Sequence, residues 1–265
     1  MTTGKEIPSR AFQGNIMAAI NLLVFIMVIV VNALANILPI NGLNTGEVSA
    51  LYPTLFTPAG FTFGIWSIIY LALFIFSIYQ FTLTSQPYFQ NLSRWFVISC
   101  LANAGWIVVW HHLQPFLSLL IMVLLLVSLV RIFLVVKQTP SMRHALLVQF
   151  PFALYLAWIC VATIANVTIV FTSLGWHGQP FSPEIWTVIM TILATGLAVF
   201  IALKFYHLAF LLVTAWALFG IYSRHEPTSV ISKAIQIEMI VLIGSIVFLL
   251  WRFIRNQIQK SGSIN

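Results

Sequence analysis

Eight stretches of the chain, at about 17–40, 60–82, 95–113, 116–136, 148–172, 185–203, 206–223 and 234–254, are apolar over nearly their whole length. Crossing hydrocarbon as a helix takes roughly 20 such residues. A barrel would instead need short segments alternating apolar and polar side chains, and no such series is present. Hydrophobic residues make up 61% of the chain and charged residues 6%, with a mean hydropathy of +1.02. A water-soluble domain of this length could not hide that much apolar surface. The expectation is an all-α integral membrane protein with about eight transmembrane helices.

A formal charge of +7 could suggest an acidic partner, but the basic residues follow the membrane instead. With an inside N-terminus, Lys5, Arg10, Arg94, Arg131, Lys137, Arg143, Lys204, Arg252, Arg255 and Lys260 fall at inside ends, leaving Arg224 and Lys233 outside. This positive-inside bias predicts cytoplasmic termini in a bacterial-type inner (plasma) membrane, with lipid rather than nucleic acid as the partner. The first helix exceeds a signal-peptide core and no small-residue cleavage site follows it, so it is expected to remain as an anchor. The weakest boundary is "LKFYHL" between the sixth and seventh runs, which has no Gly or Pro. Without a turn there, the count falls to seven and the C-terminus changes side.

Catalytic signatures are missing: there is no phosphate-binding glycine loop, no H-E-x-x-H, no G-x-S-x-G and no Asp anywhere in the chain. No residue is expected to be catalytic or to ligate a metal. Cys100 and Cys160 sit within helices outside any C-x-x-C pair, which assigns them to packing. Glu6, Glu47, Glu184 and Glu226 fall in tails or loops, and Glu238 is expected about one turn inside the last helix, within reach of the interface. Arg131 is placed to snorkel. No charge is thus expected at mid-membrane, which argues against an ion-coupled pump. His111 and His112 are expected near an outer rim, pointing about 100° apart on a helix and so unsuited to chelating one ion.

The informative pattern is a set of helical stripes. Phe63, Trp66 and Tyr70 recur at i, i+3, i+7; Asn103, Trp106 and Trp110 do likewise; Trp158, Ala162 and Asn166 recur at i, i+4, i+8, so each set shares one helix face. Trp66, Trp106 and Trp158 lie deeper than an interfacial aromatic belt requires. Such faces can line a pocket for a flat apolar ligand in the bundle, with Asn103 and Asn166 at its polar edge. Asn32 and Asn36, Gln149 and Gln236 are expected to hydrogen-bond between helices. The 41–59 connection, with "NGLNTG" followed by the stiffening Pro53 and Pro58, is a candidate lid.

"FTPAGFTFGIWSIIY", "NAGWIVVWHH" and "PFALYLAWICVATIAN" resemble the second, third and fifth helices of the TspO/MBR family, the tryptophan-rich sensory proteins related to the mitochondrial translocator protein. The resemblance implies a five-helix bundle over 17–172 that binds tetrapyrroles such as protoporphyrin, in some members sterols, beneath the loop after helix one. It assigns Phe61, Phe63 and Trp66 to the family's aromatic run, Asn103 and Trp106 to its N-x-x-W, and Trp158, Ala162 and Asn166 to its W-x-x-x-A-x-x-x-N. By position, Tyr70 and Trp110 continue these faces. Pro58-Ala59 replaces the family's Pro-Pro, Pro151 comes about a turn early, and residues 41–59 contain no tryptophan, which weakens any case for porphyrin degradation.

The organisation that follows is a cytoplasmic tail (1–16), the five-helix core (17–172), an outer loop (173–184), a three-helix extension (185–254) and a cytoplasmic tail (255–265). Function would be sensing, reception or transport of the flat ligand, with homodimers as family members form. The alternatives are a permease for a small neutral solute, a porphyrin-modifying enzyme, and a ligand-free structural subunit.

Overall fold

The computed structural model describes residues 10–38, 40–52, 54–136, 141–176 and 178–262. Lys5, Glu6, Pro53 and Lys137 lie outside these. In chain order the helices are α1 (Arg10–Ile37), α2 (Thr45–Ala50), α3 (Ile65–Tyr79), α4 (Phe89–His111), α5 (Pro115–Val136), the single turn α6 (Met142–His144), α7 (Phe150–Ser173), α8 (Pro183–Phe205), α9 (Leu208–Tyr222) and α10 (Val230–Gly262). Tight 3-10 turns, Gly60–Gly64 and Gln80–Leu83, extend α3 at both ends. Among the described residues every regular element is helical, as lipid demands of a chain that must satisfy its own backbone.

Seven of these helices are long and apolar enough to span a membrane, and α9, at 15 residues, is shorter. Its length, about 22 Å at 1.5 Å per residue, falls below a typical hydrocarbon thickness. The "LKFYHL" boundary is nonetheless a true break: Tyr206 takes a left-handed φ of 59° after α8, and the extended His207 starts α9. A tyrosine can fill the position usually given to Gly at a helix end, which is why no Gly or Pro marks it.

Other helix ends have local causes as well. Ser182 caps α8, its hydroxyl accepting from the Ile185 amide at 3.3 Å, with Pro183 in the first helical turn where its missing N–H costs nothing. The fifth run begins earlier than the expected 148, at Met142, and widens into a π-turn at Ala145–Gln149 just before Pro151. A proline removes one donor and crowds the preceding turn, and the wider turn accommodates both.

The chain packs as two compact units, residues 1–48 with 66–156 and residues 49–65 with 157–265. In the first, α4 and α5 form an antiparallel hairpin, α1 packs on α4, and Gly14 of α1 backs directly onto Thr84. Its core joins Phe76 to Phe152 and Phe96 at ring distances of 4.7 and 5.4 Å, with Phe25 at 6.2 Å from Phe96. About a turn along the chain from Phe25, Phe76 and Phe96 lies a carboxamide layer: Asn21 donates to Gln80 at 2.8 Å and accepts from the Ser93 hydroxyl at 2.9 Å. In the second unit, α8, α9 and α10 pack on one another, and α9 also receives the Gly60–Gly64 turn.

Candidate functional site

In the first unit the expected stripes of α3 and α4 do meet, through an asparagine. Asn103, 1% exposed, accepts from Asn32 at 2.8 Å and from the Tyr70 hydroxyl at 3.4 Å, and donates to the Tyr155 hydroxyl at 2.7 Å. Both lone pairs of its carbonyl are therefore engaged. Asn103 is thus a buried junction that bonds α1, α3 and α7 to α4. Asn32 bonds between helices as expected, whereas Asn36 donates to the Asn32 carbonyl of its own helix at 2.8 Å.

Trp66 stacks on Tyr70 with centroids 5.2 Å apart and planes 22° apart, and meets Tyr155 edge-on at 5.7 Å. Both Trp66 and Tyr70 stay partly exposed. Trp106 and Trp110 also stack, at 5.4 Å and 18°, but are 5% and 3% exposed. Trp110 donates to the Thr45 carbonyl at 3.2 Å, so it is an internal strut and not part of an outer aromatic belt. Tyr155, three residues before Trp158, completes this cluster; the i, i+3 spacing already carried that signal.

His111 is fully buried, which overturns its expected place at a rim. Its Nδ1 lies 3.2 Å from the Ile40 carbonyl and its Nε2 3.1 Å from the Thr45 hydroxyl. Because a carbonyl only accepts, Nδ1 donates and Nε2 accepts from Thr45. Asn41 adds a bond to the His111 carbonyl at 3.3 Å. The start of the expected lid is thereby tied to the end of α4. His112 is exposed and bonds the Val108 carbonyl, and among the described residues no group of three His, Cys, Asp or Glu side chains is arranged to hold a metal ion.

The second unit holds Phe61, Phe63, Trp158, Ala162 and Asn166. Phe63 meets Trp158 edge-on at 6.3 Å, and Trp158 is 3% exposed. Asn166 donates to the Ala162 carbonyl at 2.9 Å within its own helix. Phe61, 48% exposed, packs edge-on against Trp216 at 5.5 Å. The residues beside it are clamped by α9 and the turn after it: Trp216 donates to the Thr62 carbonyl at 2.9 Å, Arg224 to that of Thr57 at 3.0 Å, and His225 lies 2.9 Å from that of Leu55. Residues 55–62 are therefore a pinned strap rather than a loose cover.

A cavity of about 70 Å³ in the same unit is lined by Thr54, Phe56, Thr168, Thr172, Trp176 and Trp186. A single water needs about 10–15 Å³ on the same measure, so the cavity has room for a small solute. Trp176 and Trp186 meet edge to face in its lining at 4.8 Å. Its threonines went unnoticed in the sequence because hydroxyls scattered along apolar helices are ordinary there.

Glu238 departs most from expectation. Placed by hydropathy near an interface, it is 6% exposed, with Thr191 and Thr195 of α8 at 2.9 and 3.0 Å from its two carboxyl oxygens. The last helix begins at Val230, not near 234, so Glu238 stands about two turns from its start.

Compared with known proteins, residues 18–251 match the model of a family described as TSPO-like protein. No curated protein and no solved structure matches the chain.

Proposed function

The chain belongs to the TSPO-like family, and from that premise we propose that it is a membrane sensor, receptor or carrier for a flat hydrophobic ligand, most specifically a tetrapyrrole. The observation that supports this reading is the Trp66–Tyr70 pair, whose near-parallel rings stay partly exposed beside a closed aromatic core. A macrocycle offers a broad π face, and offset stacking on indole and phenol adds to simple burial. Asn103 serves this platform indirectly, through its bonds to Tyr70 and Tyr155. The fit is to the ring system: no basic side chain belongs to the cluster, so carboxylates on the ligand are left toward the headgroups. Phe61, Phe63, Trp158, Ala162 and Asn166 keep the positions the family motif gives to ligand contacts and are open to the same test one by one. In this reading the membrane is a bacterial inner membrane with both termini cytoplasmic, and the protein is a homodimer.

The test is a protoporphyrin titration of the detergent-purified protein, followed by quenching of tryptophan fluorescence. Wild type should quench saturably. Trp66→Phe should weaken binding about five-fold, the equivalent of losing roughly 1 kcal/mol of stacking. Trp106→Phe, at a closed position, should leave affinity unchanged. Linear, unsaturable quenching in all three would reject the reading. The threonine-lined cavity favours a second one, a permease for a small neutral solute, which requires saturable solute flux that Thr168→Val reduces.

A further inference from the structure

Glu238 lies eight residues into α10, about 12 Å along a helix rising 1.5 Å per residue. Thr191 and Thr195 lie one turn apart on α8, on one face, so that each hydroxyl meets one oxygen of the carboxyl. α8 and α10 pack on each other within one compact unit.

The hydrogens of this cluster can be counted. Thr191 Oγ1 stands 2.9 Å from Glu238 Oε1 and also 2.9 Å from the Val188 carbonyl. A hydroxyl has one hydrogen and a carbonyl has none. If the carboxyl were ionised, one hydrogen would have to serve both contacts, leaving one pair of acceptors face to face. If the carboxyl is protonated, every contact has its own hydrogen: Glu238 donates to Thr191, Thr191 donates to Val188, and Thr195 donates to the other carboxyl oxygen. An isolated carboxylate among apolar helices is also expensive, and ionisable side chains within spanning segments are usually retained for function.

The other charged and titratable groups of the packed helices stand elsewhere along them. Glu184 and Lys204 are in the first and last turns of α8. On α9 the titratable side chain is Tyr222 at its end, whose hydroxyl accepts from Gln236 at 3.4 Å. On α10, Lys233 precedes Glu238 by more than a turn, while Arg252 and Arg255 follow it by more than three.

We propose that Glu238, held by Thr191 and Thr195, is an intramembrane proton-binding site. In this structure the carboxyl carries one proton and exchanges it with water. On release the O–H bond breaks, the proton passes to water and the electron pair stays on the carboxylate. Thr191 then turns its hydrogen from the Val188 carbonyl to the carboxylate, so that both hydroxyls point at the charge. The hydroxyl of Thr191 is thereby a rotor coupled to the protonation state.

Infrared spectroscopy of the full-length protein in lipid, at neutral pH, tests this. Wild type should show a carboxylic-acid C=O band that is lost in Glu238→Gln and shifts to lower frequency in heavy water. Thr195→Val removes the donor to the C=O oxygen and should move the band to higher frequency, an assignment that holds even if the glutamine variant fails to fold. A spectrum with no acid band sensitive to either substitution, or an acid band indifferent to heavy water, overturns the proposal. Loss of the wild-type band on adding sodium would also overturn it, assigning the carboxyl and hydroxyl oxygens to a metal cation.

Discussion

The two compact units both bury polar side chains among apolar helices, but with different chemistry. The first joins helices through carboxamides, hydroxyls and phenols: Asn21 with Gln80 and Ser93, Asn32 with Asn103 and Tyr155. None of these groups gains or loses a proton readily near neutral pH. The second joins α8 to α10 through a carboxyl, and its strap to α9 and the residues just after it through side-chain donors on backbone carbonyls. A carboxyl can change its charge. The first unit is thus suited to holding an aromatic surface in place, and the second carries a helix pair whose joining hydrogen bonds a proton can rewrite.

The units differ as well in how they use their tightest glycines, and the largest expected effect tests that difference. A Cβ on Gly14 would collide with the backbone carbonyl of Thr84, which cannot swing aside. Overpacking costs typically 1–3 kcal/mol, and Gly14→Ala should lie at the top of that range, about 3 kcal/mol, by thermal unfolding in detergent. Adding Thr84→Ala should not restore it. Recovery in the double variant would show that the obstruction is a side chain, and the two units would then be alike.

Next in size is Asn103→Leu, which leaves Asn32, Tyr70 and Tyr155 each short of a partner. Buried orphaned groups cost about 1–3 kcal/mol each in water-soluble proteins, but hydrogen bonds between membrane helices average nearer 0.6 kcal/mol, so a total of about 2 kcal/mol is expected. The Trp66 emission spectrum should shift with it as Tyr70 is released. A cost below about 0.5 kcal/mol would mean that the carboxamide junction does not hold the aromatic platform.

The sequence made the helices legible because lipid imposes one length and one polarity on each span. The stripes were legible because 3.6-residue periodicity fixes which side chains share a face. Periodicity does not say what a face meets, so the bonds of Asn103 to three neighbouring helices and of Trp110 to Thr45 were not legible, and His111 read as a rim residue when it is fully buried. Hydropathy also misplaces a helix that begins with polar turns. Ser232, Lys233 and Gln236 lower the local average, yet they belong to α10, and the burial of Glu238 against α8 was hidden with them. Its partners Thr191 and Thr195 lie 47 and 43 positions away, a pairing that follows from the packing of α8 on α10 and from nothing local.

Smaller effects are expected where the second unit's strap meets α9. A Cβ on Gly220 would collide with the side chain of Thr62, which is fully buried and whose hydroxyl finds no partner among the described residues. Because that obstruction is a side chain, Gly220→Ala should cost about 1–2 kcal/mol, and Thr62→Ala should recover most of it, in contrast to the Gly14 pair. Trp216→Phe should cost least, about 1 kcal/mol: the ring edge against Phe61 is largely kept, while the indole donor to the Thr62 carbonyl is lost. Protease cutting within 55–62 is the sharper readout there, since a strap fixed by three side-chain donors should become slightly more accessible when one is removed. If Trp216→Phe left cutting unchanged and Arg224→Ala raised it strongly, the strap would be held by the turn after α9 alone, and the indole would be a packing element with an incidental hydrogen bond.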